Sequence, residues 1–93
     1  MSVVVSAVTP FSEEMYEAIS SRVMPGDQLP DGCQAHIAGP VAQGWRVITV
    51  WESREVFDRF REEQLLPAIR EVVGGEPPPV EPEVDPVHTL ITS

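Results

Sequence analysis

The apolar positions of this chain change their spacing repeatedly, and each change marks an element. Val3 to Val8, VVVSAV, is a β-branched run that predicts a strand. In TPFSEEMYEAISSRV the period becomes helical, with Phe11, Met15, Ile19 and Val23 on one stripe. Thr9 or Ser12 can cap that helix, and Glu13 and Glu14 suit its positive end. MPGDQLPDG reads as a loop. CQAHIAG predicts a second strand, PVAQG a short hairpin connection and WRVITVWE a third strand. Ser53 then caps a helix over REVFDRFREEQLLPAIREVV, whose buried stripe is Phe57, Phe60, Leu65, Ile69 and Val72 or Val73. Pro67 removes a hydrogen bond and clashes with the preceding turn, so a kink or break is expected near Leu66, with Pro67 opening a second helical segment that Gly74 ends. GEPPPVEPEVDP is expected to be extended. VHTLI, from Val87 to Ile91, is expected to form a last strand, at a sheet edge because Pro86 adjoins it.

The order βαββαβ over residues 1–93 makes one domain, an α+β sandwich with helices on one face of an antiparallel four-stranded sheet. The other sheet face has no cover within the chain. The third strand carries Val, Ile, Val and Trp on both sides and calls for burial on both. A second copy of the chain is the economical source of that cover, so a homodimer is expected. Dimerisation would also add burial to a chain of only 93 residues.

Charge narrows the function classes. There are 15 acidic and 6 basic residues, a net charge of −9, and every basic residue is arginine. Such a surface repels phosphate backbones and anionic membranes, so neither nucleic acid nor membrane is expected as a partner. Without lysine there is no Schiff-base chemistry and no phosphate-loop lysine. No glycine-rich nucleotide loop is present, because GPVAQG lacks the strand–loop–helix setting, and no cofactor is expected. The two histidines and one cysteine show no HxH, HxxxH or CxxC spacing, so no metal is expected either. The lone Cys33 cannot form an intrachain disulfide, MSVVVSAVTPF has no basic segment before its short apolar run, and no run approaches the ~20 apolar residues of a membrane helix. A cytoplasmic location is expected.

VITVWESREVFDRF resembles the strand–Trp–Glu–Ser–helix signature of antibiotic biosynthesis monooxygenase-like proteins, in the dimeric α+β barrel superfamily. The resemblance implies a ferredoxin-like protomer and a dimer whose sheets face each other around a cavity. Its members include cofactor-independent oxygenases, haem-degrading oxygenases and polyketide cyclases. Haem degraders resembling this chain carry a tryptophan where it has Phe60, a haem-ligating histidine near Arg70, and an asparagine on the first strand. This chain has no asparagine, which argues against haem degradation. Cyclases of the superfamily often use histidine as general acid–base.

Few residues are left to carry chemistry. His36, mid-strand between Ala35 and Ile37, is the first catalytic candidate, as a general base or a donor to a ligand carbonyl; equally it can be a histidine satisfied in the core or interface. His88, on the expected last strand, is the second, and the two could face one cavity; otherwise it is an interface residue. Trp45 and Trp51 share a strand face and can clamp a flat ligand or simply pack, Trp51 being the packing residue of the two. Tyr16 can donate into the cavity or sit at its rim, and Phe60 completes the expected ligand walls. Cys33 reads as a small buried hydrophobe, and EEMYE and REEQ as solvated faces.

The expectation is a small-molecule-binding dimeric barrel acting, if it is an enzyme, as a cofactor-independent oxygenase or cyclase on an aromatic or polyketide-like metabolite. The alternatives are a non-catalytic ligand binder and a structural dimer. The cavity discriminates: converging polar groups in an apolar pocket favour catalysis, a smooth pocket favours binding alone, and none favours a structural role.

Overall fold

The computed structural model describes residues 1–92. Its elements are β1 (Val3–Thr9), α1 (Glu13–Val23), β2 (Cys33–Val41), β3 (Gly44–Trp51), α2 (Arg54–Phe60), α3 (Leu66–Val73) and β4 (Glu83–Pro86). The strands form one antiparallel sheet in the order β2-β3-β1-β4, with both βα units packing their helices on the same face. The α+β sandwich expected from the order of elements is therefore the architecture observed.

The caps act as their residue types dictate. Ser12 accepts from the Met15 N–H at 3.2 Å and Ser53 from the Val56 N–H at 3.2 Å. The β2–β3 hairpin closes through Ala42 and Gln43, with Val41 opposite Gly44. Gly44 has φ +142°, and a side chain there would run into the Thr9 carbonyl, so glycine is required on both counts.

The α-helical ladder after Ser53 is interrupted before Leu66, and α3 opens with Pro67 in its first turn, as expected; the interruption is a π-helical turn, Arg61–Leu65, in which the Leu66 N–H bonds to the Arg61 carbonyl. One sequence expectation needs correction. The last strand lies earlier than expected. It forms over Glu83–Pro86 rather than Val87–Ile91, and it is an edge strand. The cause is the length of its partner: β4 runs antiparallel to β1, and β1 ends at Val3, which already pairs with Pro86. One further bond, Val87 N–H to the Ser2 carbonyl at 3.0 Å, completes the ladder. Val84 is the residue that needs this register, because it packs beside Val5 and Trp51.

The core is divided. One cluster gathers Phe11 and Ile19 with Ala68 and Ile69 between α1 and α3; the other gathers Val5, Trp51 and Phe57 between the sheet and α2. On the opposite sheet face, register places Val4, Val8, Ile37, Ile48 and Val50 away from the helices. Ile37 and Val8 are 60% and 48% exposed, so this face is apolar and uncovered within one chain.

Candidate active site

Between the two clusters the core leaves a cavity of about 160 Å³. Phe11, Ile19 and Ile69 line it from one cluster, Val5, Trp51 and Phe57 from the other. Pro77, Pro78, Val80 and Pro82, in the irregular segment before β4, close another side. The cavity thus lies within a single chain, between helices and sheet. Sequence reasoning placed it between the sheets of two copies.

Into this apolar space project a few polar groups. Register sets His36 opposite Thr49, so its ring points to the helix side of β2. Tyr16, from α1, meets it: Tyr16 Oη and His36 Nε2 are 2.6 Å apart. Both residues line the cavity. Burial pushes the His36 pKa below its ordinary 6.5 and, as the main influence, raises that of Tyr16 above 10.0. Both groups are thereby held neutral over the physiological range. With the imidazole neutral, Tyr16 donates to Nε2 when the ring proton sits on Nδ1. Such a pair can pass one proton between the cavity and the imidazole, which is the chemistry of a general base.

The sign of the linkage is testable. The unfolded chain binds a proton at His36 more readily than the folded one, so stability falls as pH drops below 6.5 toward the folded-state pKa. An NMR titration of the His36 ring is expected to give a midpoint below 6.5. A midpoint above it would mean that the ring is not buried as described.

The other candidates divide. Trp51 is 2% exposed, lines the cavity, and donates from Nε1 to Thr49 Oγ1 at 2.8 Å. Phe60 also lines the cavity, with its ring centroid 4.8 Å from that of Trp51. Trp45 does not line it; its ring lies 5.3 Å from that of Tyr16 and supports the tyrosine from behind. Trp45 Nε1 is the one buried side-chain polar atom without a partner among the described residues. His88 belongs to none of this. It lies beyond β4, exposed, with Nδ1 2.8 Å from Thr89 Oγ1, so the two histidines do not face one cavity. Cys33 is half-buried at the cavity wall, its Sγ 3.4 Å from the Ala35 carbonyl, and burial raises its pKa away from the reactive thiolate.

Sequence reasoning missed Arg61 and Thr49, both on the cavity wall. Thr49 lies on the helix-facing side of β3 by simple alternation. Arg61 was read with REEQ as solvated, yet it falls at the four-residue steps Phe57, Arg61, Leu65, Ile69 that define the buried stripe. Among the described residues no group of three or more His, Cys, Asp or Glu is placed to hold a metal ion, and no helix is long and apolar enough to cross a membrane.

No protein-family model matches the sequence, and no curated protein matches it. Solved structures do match the fold. Rv0793 from Mycobacterium tuberculosis superposes with a TM-score of 0.60 at 18% identity, covering 99% of this chain and 97% of its own. A candidate antibiotic biosynthesis monooxygenase from Deinococcus radiodurans gives 0.59 at 10% identity, covering 100% and 98%. A point mutant of SnoaB, a cofactor-independent oxygenase from Streptomyces nogalater, gives 0.56 at 12% identity, covering 99% and 96%. The chain therefore has the ferredoxin-like α+β fold of antibiotic biosynthesis monooxygenase-type proteins, as the WES-helix signature implied.

Proposed function

We propose that the chain binds a small flat aromatic molecule in its core cavity and that the Tyr16–His36 pair removes a proton from it, in cofactor-independent oxygenase or cyclase chemistry. The observation that carries this reading is the 2.6 Å contact between Tyr16 Oη and His36 Nε2 in an otherwise apolar cavity. A phenolic or enolic O–H would give its proton to Tyr16 Oη as the tyrosine passes its own to Nε2. The electron-rich anion left behind is the species that reacts with oxygen or closes a ring. The likeness to a cofactor-independent oxygenase of the same fold supports this reading, as does a site that keeps both groups neutral until substrate arrives. Secondary metabolism is the natural setting for such a substrate.

Titration with 2-naphthol, followed by amide NMR shifts, tests the site. Shifts are expected at Tyr16, His36, Trp51 and Phe60. Shifts confined to the open sheet face, or none at millimolar ligand, would remove the cavity from consideration. Oxygen uptake with a panel of phenols and naphthols, in the presence of a chelator and without added flavin or haem, then tests turnover.

The same reading includes a homodimer, because Val4, Val8, Ile37, Ile48 and Val50 put apolar side chains on a sheet face that no helix of this chain covers. Sedimentation at micromolar concentration is expected to show a species near twice 10.3 kDa. A monomer under those conditions would leave that face without an explanation.

A further inference from the structure

Arg61 is the one arginine of six that is not exposed, and among the residues lining the cavity it alone carries a fixed charge. Its surroundings return little for that withdrawal from water. Nη2 reaches the Val80 carbonyl at 3.5 Å, a long contact to a neutral group. The ion pairs among the described residues are Arg22–Glu71 and Arg54–Asp58, so no carboxylate neutralises Arg61 in a chain with 15 acidic residues. Drawing a guanidinium partly out of water with so few partners is unfavourable. Arg61 is the first residue of the π-helical turn, the kind of helix irregularity often found at functional sites.

Charge distribution points the same way. No Asp or Glu lines the cavity, whereas the chain as a whole carries −9. The protein surface at large repels an anion, whereas the cavity lining carries one positive group and no acidic one.

Given the cavity as the ligand site proposed above, we infer that Arg61 recognises an oxyanion, so that the ligand class is a flat apolar molecule bearing a carboxylate, or one whose phenolate or enolate forms in the cavity when Tyr16 and His36 take its proton. The guanidinium fork pairs with such a group in-plane, while Trp51 and Phe60 take the ring system. Val80, to which Arg61 now donates, lies in the proline-rich wall, so the same side chain ties that wall to the charged end of the ligand.

Two probes of nearly equal shape separate charge from shape: 2-naphthoate and the neutral 2-acetonaphthone, titrated calorimetrically at about pH 7.5, where the carboxylate is ionised, into the full chain. The anion is expected to bind the native protein about 10–100-fold more tightly, the range for a hydrogen bond to a charged group. Arg61→Gln is expected to abolish that preference, weakening the anion far more than the ketone, and Arg61→Lys to retain part of it. The anion's advantage is also expected to shrink with added salt in the native protein, a measurement that needs no variant. Equal binding of the two probes, or an Arg61→Gln loss shared equally by both, would overturn the assignment while leaving the cavity a ligand site. Binding of neither probe would remove the cavity reading itself, and the oxyanion assignment with it.

Discussion

His36→Gln is expected to lower turnover about 10²–10⁴-fold, the usual share of general acid–base catalysis, while the variant folds as the native chain does. The amide is close to imidazole in reach and can still accept from Tyr16 Oη, now 2.6 Å from Nε2, so the hydrogen bond across the top of the cavity survives. What it cannot do is hold a proton near neutral pH. Tyr16→Phe supplies the complementary loss. It removes the relay atom but leaves His36 ionisable, so it too is expected to slow turnover. With the native protein, activity should persist to a pH below 6.5 before the acid limb appears, because burial holds His36 in its basic, neutral form to lower pH than in an exposed chain. Full activity in His36→Gln, or loss of its folded structure, would take His36 out of the mechanism.

The architecture was legible because each period in the sequence matched one element, and each element had a matching cap. Ser12, Ser53 and Gly74 punctuate the helices where the pattern changes, and the alternation in WRVITVW puts Trp45, Val47, Thr49 and Trp51 on the helix side. Two features were not readable locally. The position of β4 depends on where β1 runs out, a tertiary constraint that Val87–Ile91 cannot carry in its own composition; that β-branched run simply lies past the end of its partner. His88 goes with it, and leaves the site. Pro67 marks where the α-helical ladder is interrupted and α3 opens, but the form of the join, a π-helical turn that changes the bonding partner, has no local signature. The site was legible in part. Tyr16, His36, Trp51 and Phe60 surround one cavity because they lie on inward positions of their elements. Arg61 lay on the same stripe, but an arginine followed by two glutamates reads as surface on charge alone. Where periodicity and polarity disagreed, periodicity was the better guide.

Trp51→Ala is expected to destabilise the fold by about 3–5 kcal/mol, the range for removing a buried large aromatic side chain. Trp51 is 2% exposed, and it joins three parts of the structure. Its ring stacks obliquely on Phe57 and Phe60, with centroids 5.7 and 4.8 Å away, fastening α2 to the sheet. Its indole N–H satisfies Thr49 Oγ1, which is buried. Its backbone closes the β1–β3 ladder opposite Val3. Truncation merges the lost ring volume with a cavity of about 160 Å³ already beside it, so the neighbours have no nearby packing to collapse onto. For a domain of this size, total stability is on the order of 5–15 kcal/mol, so the loss removes a large part of it. Urea denaturation is the direct measurement, with the m-value checked for constancy. Trp51→Phe, which retains a ring against Phe60 but strands Thr49 Oγ1 without its donor, is expected to cost roughly 1–3 kcal/mol, set by that one unsatisfied group. A Trp51→Ala loss below about 1 kcal/mol would place the indole in solvent or give its surroundings a freedom to close that divided clusters do not have.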